Sequence, residues 1–412
     1  MKKILGLTLG IMTALGGFVD LGQIVFTVQA GALFGYSLLW VIVLGLVAII
    51  IYIEMCGRVA AVAREPVFST VRKRLPKKIG VFTLVASNLQ NLITCAAELG
   101  AVALVLQLLL GWSDRVALTV SAVAIAAMIW FLKFDWIERV FGLSGLLMIA
   151  FAVAAWRLGL NWHDVAMGFV PNIPGGGTRR LLLYSYFAVG IFSAMLMEYE
   201  VHFYSSGVIE EDWDANDLEE NAIVASLGSA LGGVLTVTLL LLGALIFMPR
   251  GIFPETLNNA VLPSLVHLGP LGLKLGLLGV LACVGGAAIE TALSGAYNVC
   301  QFCDFAWSKC VKPAYAPAFT FMWMAMLILA TGLAASGIRP LTLVNISIVF
   351  AMVVMPFTYY PILRTSGDPA VLGTHANGRL YNIIGWIFFV LIVIAAVAAI
   401  PLAVVTNGGQ PG

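Results

Sequence analysis

The sequence predicts an all-α polytopic membrane protein, and three observations predict it. Of the 412 residues, 61% are hydrophobic and only 10% are charged, against about 25% charged in a soluble globular domain. Mean hydropathy is +1.01. Apolar windows long enough to cross a ~30 Å hydrocarbon core, which takes about 20 helical residues, recur near 7–28, 33–56, 80–110, 115–133, 139–158, 181–206, 221–248, 272–300, 316–334, 341–363 and 381–403. About eleven helices follow, because a helix pairs its own backbone in lipid. No window suggests a soluble domain. The breaks carry ordinary turn residues, as in NIPGGG at 172–177, MPRGIFPE at 248–255 and TSGDP at 365–369.

The first segment resembles a signal peptide, with Lys2 and Lys3 before an apolar run. The run resumes after Gln23 and no A-x-A cleavage site appears, so a retained membrane segment is expected. With the N-terminus cytoplasmic, the inner side takes Lys2, Lys3, Arg58, Arg64, Arg72, Lys73, Arg74, Lys77, Lys78, Lys133, Arg139, Lys309, Lys312, Arg364 and Arg379. The outer side keeps Arg115, Arg157, Arg179, Arg180, Arg250, Lys274 and Arg339. That excess satisfies the positive-inside rule. The acidic stretch EEDWDANDLEEN at 210–221 reads as a solvated loop and helix cap on the inner side. A net charge of +1 offers nothing to nucleic acid. Cys300 and Cys303 form a CxxC without a second pair or a nearby His, so the cysteines are expected to be structural.

Two segments differ from the rest. The first has Gly16, Gly17 and Gly22 around Asp20, and the sixth, IFSAMLMEYEVHFYSSG, carries Glu198, Glu200 and His202 in an apolar frame. An ionisable residue at that depth is costly and is functional by default. Glycines and polar groups there predict interrupted helices whose freed carbonyls face a cavity. If segments 1–5 and 6–10 are repeats of opposite topology, segments 1 and 6 correspond, which points to a transport site.

Asp20 and Gln23, at i and i+3, share one face of a turn and offer two hard oxygens. Ala194 and Met197 have the same spacing, and supply a freed carbonyl and a soft thioether. That mixed set suits manganese(II) or iron(II) better than magnesium or calcium. The competing readings are a packing role for Asp20 and a gap-filling one for Met197, one of 14 methionines. His202 and Glu200 are placed towards the inner half, with His202 expected to reach water.

QAGALFGYSLLW at 29–40 resembles the second-helix signature of the Nramp divalent metal transporters, and TCAAELGAVAL (94–104), ETALSG (290–295) and LVNISIVFAMVVMPF (343–357) can be laid on helices 3, 8 and 10. The resemblance covers most of the chain. It implies a LeuT-like fold of two inverted five-helix repeats, 1–160 and 178–364, plus an eleventh transmembrane helix at 380–403, in the cytoplasmic (inner) membrane of a prokaryote. The family's DPGN motif is DLGQ here, so Asp20 and Gly22 match, Gln23 replaces Asn and Leu21 replaces proline. Its A-x-x-M-P-H motif is matched by Ala194 and Met197, with Glu198 at the proline and Tyr199 at the histidine. The implied metal site is Asp20, Gln23, Ala194 and Met197.

On the proton side Glu98 matches the family's helix-3 Glu, while Cys95 stands at the Asp position. Lys309 and Lys312 lie near helix 9 in place of an Arg pair, and Ile348 replaces a metal-approaching Gln on helix 10. Glu198 either brings a second negative charge to the cation, favouring magnesium, or stays protonated as a proton carrier. Together with Glu98, Tyr199 and Glu200 it forms the candidate accessory or proton set.

The expectation is a secondary transporter, a symporter with proton involvement, with a divalent cation as substrate, the lipid bilayer as surroundings and no cofactor. It is not an enzyme, since no nucleophile and base arrangement or P-loop is present. The alternatives are the same fold carrying magnesium or a small non-metal solute, and a non-transporting sensor.

Overall fold

The computed structural model describes residues 19–266 and 268–411, and all regular structure among them is helical. Residues 7–18 of the first segment, with Gly16 and Gly17, and the lysines at 2 and 3 lie outside the described residues.

Ten of the described helices are long and apolar enough to cross a membrane. We number the helices α1 (Leu21–Phe34), α2 (Leu39–Ala63), α3 (Lys77–Leu110), α4 (Asp114–Phe131) and α5 (Phe134–Arg157). Then come α6a (Gly177–Ala194), α6b (Glu198–Glu210), α7 (Leu218–Arg250), α8 (Gly269–Cys303), α9 (Pro317–Ala334), α10 (Pro340–Ser366) and α11 (Arg379–Val405). The ten expected segments from 33–56 onwards fall on these helices, and the described end of the first falls on α1. The expected break after residue 28 moves to Gly35, because QAGALF contains nothing that stops a helix and Gly35 takes a positive φ of 59°.

The QAGALF stretch has a packing reason as well. A Cβ on Gly31 would lie 2.1 Å from the carbonyl oxygen of Leu240, and one on Gly243 would lie 2.2 Å from that of Val28. Backbone therefore meets backbone where α1 crosses α7, and only glycine permits it.

One face of the bundle gathers the basic loops. Arg58 bonds Glu54 at 2.9 Å, Asn377 Oδ1 at 2.6 Å and the His375 carbonyl at 2.6 Å. Arg64 pairs with Asp212, Arg72 with Asp304 and Arg74 with Asp368. A short amphipathic helix, Val67–Arg74, buries Val67, Phe68 and Val71 on this face and turns its basic residues away. It is too short for an apolar window to reveal. The acidic stretch at 210–221 departs from the solvated loop expected of it: Asp212 and Asp214 are exposed, but Trp213 and Asn221 are buried. Trp213 brings an apolar ring that the core takes in, and Asn221 donates to the Glu54 carbonyl at 3.0 Å.

Candidate functional site

Two helix ends meet at the centre of the bundle. Asp20 is the N-cap of α1: its backbone is extended and its Oδ1 accepts from the Gln23 N–H at 2.7 Å. The cap satisfies one of the donors that every helix start leaves free. A second is taken by Glu98 of α3, which accepts from the Leu21 N–H at 3.1 Å. Two carboxylates thus converge on one positive helix end.

The expected interruption of the sixth segment is present. α6a stops at Ala194, Met195 and Leu196 form a turn, Met197 is extended (φ −61°, ψ 129°), and α6b restarts at Glu198. The last carbonyls of a helix lack intrahelical partners. Here Tyr359 of α10 donates to the Leu196 carbonyl at 2.9 Å, and the Ala194 carbonyl stands at the end of α6a.

The two ends are joined by Tyr199, whose hydroxyl donates to Asp20 Oδ2 at 3.3 Å. Met197 packs with Tyr199 and with Ala351 of α10 in a small cluster apart from the main core. Gln23 is fully buried, and neither its amide oxygen nor its nitrogen meets a protein partner. One turn on, the buried Thr27 hydroxyl is likewise unpaired. α10 closes the other side with apolar atoms: a Cβ on Gly22 would lie 2.8 Å from Val344 Cγ1 and 3.3 Å from Ile348 Cδ1. Ile348 therefore reaches the site and brings no ligand.

Among the described residues no three His, Cys, Asp or Glu side chains converge as a metal-holding group. The donors available are one carboxylate, an amide, a helix-end carbonyl and a thioether, the mixed hard and soft set that suits a borderline cation.

The further acids divide in two. Glu98, Glu200 and Glu290 lie within electrostatic reach of Asp20. Glu198 lies, together with Glu200, among the surroundings of Tyr359 and, like Glu200 and Glu290, has no hydrogen-bond partner on either oxygen. His202 is buried: it stacks edge-on with Phe68 at 4.9 Å, and its Nδ1 is 3.3 Å from Asn298 Nδ2. It does not reach water, because the Val67–Arg74 helix covers it. Glu290, inside ETALSG, escaped the sequence reading although a carboxylate in an apolar span was its signal.

The family model described as natural resistance-associated macrophage protein-like matches residues 10–401. The chain belongs to the Nramp family. Among Nramp relatives, the divalent metal cation transporter MntH of Bacillus subtilis is 23% identical over 386 residues, covering 91% of this chain and 87% of its own. Among solved structures, the Eremococcus coleocola manganese transporter superposes with a TM-score of 0.78 at 18% identity, covering 99% of this chain and 88% of that one. MhsT in complex with L-phenylalanine superposes at 0.61, also at 18% identity, covering 96% of this chain and 98% of that one. The structural likenesses carry the fold, which is the LeuT-like one, and membership of the Nramp family places the chain among transporters rather than enzymes.

Within that Nramp fold the departures have definite places. Cys95 is buried on α3 with its Sγ 3.6 Å from the Ala288 carbonyl. Lys309 and Lys312 lie in the loop before α9. The Lys309 ammonium donates to the Leu132 carbonyl at 2.8 Å, and Lys312 is exposed. Neither substitutes for an arginine pair inside the bundle.

Proposed function

We propose that this Nramp-family chain carries divalent cations across the inner membrane of a prokaryote by alternating access, with manganese(II) or iron(II) as the preferred substrates. The observation that carries the reading is the meeting of the Asp20 cap with the α6a/α6b break, tied by the Tyr199 hydroxyl. Asp20, the Gln23 amide oxygen, the Ala194 carbonyl and the Met197 thioether are the proposed cation ligands. A relative named as a divalent metal cation transporter and a fold neighbour named as a manganese transporter support the substrate class.

A cavity of about 480 Å³ runs from Glu255, Asn258 and Arg339, on the face away from the basic loops, down to Leu21 beside Asp20. We read it as the outer vestibule, with the N-terminus cytoplasmic. On the basic side Tyr199, His202 and Phe68 are packed shut, so the cation enters from the vestibule and leaves once α6b and α1 shift. Residues 1–160 and 178–364 are the two inverted repeats in this reading, with α11 outside them.

Glu98 is assigned the proton involvement, since its carboxyl already sits on the helix end that Asp20 caps. The nearness of Glu200 and Glu290 to Asp20 favours a harder ion, so magnesium is the second reading. Uptake of a cation panel into proteoliposomes, with and without a pH gradient, tests both. Manganese uptake outcompeting magnesium supports the first, the reverse order supports the second, and binding without flux makes the chain a sensor.

A further inference from the structure

Glu138 and Glu211 belong neither to the cation site nor to the ion pairs on the basic face. Glu138 is fully buried in the second turn of α5, and Glu211 is the residue at which α6b ends. Neither carboxyl oxygen of either residue meets an N–H or O–H donor in hydrogen-bond geometry. The Trp213 indole N–H lies within range of Glu211, a neutral donor whose alignment falls outside hydrogen-bond geometry. Yet the two carboxyl groups lie within hydrogen-bond range of each other. Two carboxylates have no hydrogen to place between them, and side by side away from water they repel, so the contact requires a positive charge.

Among the described residues the surroundings do not provide one: the nearby Arg64 guanidinium is taken by Asp212 and the Trp213 carbonyl. Asp135, on the same helix, faces Arg139 at 3.9 Å. Tyr204 of α6b donates to Asn221 Oδ1 at 3.0 Å, and Tyr297 of α8 donates to Glu210 at 3.0 Å. Cys310 and Glu220 add only neutral or negative groups, and the Lys309 ammonium is turned to the Leu132 carbonyl. A divalent ion would need more ligands than two carboxylates, and no third His, Cys, Asp or Glu completes such a group among the described residues.

We propose that Glu138 and Glu211 bind one shared proton, and that this proton fastens the end of α6b to α5. Glu211 lies at the rim, but its carboxyl oxygens are themselves shielded, so the proton exchanges with water when this contact opens. Removing it leaves two adjacent anions that push the inner half-helix away from α5. The inference stands apart from the transport reading, because neither residue touches the cation site.

The test is thermal unfolding of the full chain in detergent across about pH 5 to pH 9. Burial pushes the Glu211 carboxyl above the ordinary carboxylate range. A carboxyl raised in the folded state stabilises fully below its unfolded value and loses that contribution as pH rises through the folded one. In E211Q or E138Q the amide N–H donates to the remaining carboxylate at every pH. Either variant is therefore expected to match the wild type at the acid end and to melt a few degrees higher at the alkaline end. E211K, which pairs an ammonium with Glu138, is expected to flatten the profile in the same way and decides the matter if the Gln variants do not fold. E219Q, at an exposed position, serves as the control and is expected to keep the wild-type profile. Profiles of E211Q, E138Q and E211K parallel to wild type overturn the proposal. So does stabilisation by excess MnCl2 or MgCl2, measured in a D20A background, that E211Q abolishes, since the pair would then hold a metal ion.

Discussion

Gln23→Leu separates a binding side chain from a packing one. Gln23 is fully buried, and both amide atoms lack protein partners, so the fold alone leaves the desolvation of that amide unrewarded. An unsatisfied buried polar group costs about 1–3 kcal/mol. Leucine has nearly the same volume and no polar atom, so the metal-free protein is expected to gain roughly that amount, a rise in Tm of about 2–5 °C. The cation loses its amide ligand, and the stabilisation that manganese gives by binding only the folded state shrinks accordingly. The assay is thermal unfolding in detergent with manganese titrated, wild type beside Gln23→Leu. A variant that is less stable without metal, or one that keeps the full manganese-dependent shift, refutes the idea that Gln23 waits for a ligand.

Met197→Ala is expected to lower manganese uptake while leaving magnesium uptake nearly unchanged, because a thioether matters only to the softer ion; competition uptake in proteoliposomes reads the ratio, and an unchanged ratio removes the sulfur from the ligand set. Tyr199→Phe deletes one hydrogen bond onto Asp20 and should cost about 1 kcal/mol, roughly fivefold in manganese affinity by calorimetry; no change would mean that the hydroxyl does not orient the carboxylate. Gly31→Ala places a Cβ 2.1 Å from the Leu240 carbonyl and should destabilise by at least about 1–3 kcal/mol, seen as a lower Tm, whereas a neutral outcome would contradict the α1–α7 contact. Arg58→Ala leaves Glu54, 16% exposed, without its partner and frees the His375 loop; a loss of about 3 kcal/mol is expected on breaking a largely buried pair, and an unchanged Tm would place that pair among the dispensable ones.

The spans and the sixth-segment break were legible because hydropathy and a run of polar residues in an apolar frame are local signals. Asp20, Gln23, Ala194 and Met197 stand out in the sequence as candidate ligands by spacing and by matched motifs, and the structure brings Asp20 and the Met197 segment together through Tyr199. What sequence could not give is direction. Glu198 and Glu200 are two residues apart, yet Glu200 is the one within reach of Asp20, because the α6b turn after Met197 sets which side chain looks inward. The sequence places His202 within reach of water because the covering Val67–Arg74 helix is too short and too basic to register as an apolar window. Glu290 and Tyr359 come from α8 and α10, far along the chain, and only the packing of those helices puts them beside the site. The Glu138 and Glu211 contact was hidden for the same reason, since one acid lies in a span and the other in a stretch that reads as a solvated loop.

The most direct test of the central claim is manganese uptake by Asp20→Asn in proteoliposomes, beside wild type, with folding checked by the Tm without metal. Asparagine keeps an oxygen for the Gln23 N–H and removes only the charge. A cation site built on Asp20 predicts a normal fold and a loss of uptake of about tenfold or more. Uptake of every cation at the wild-type rate would contradict it.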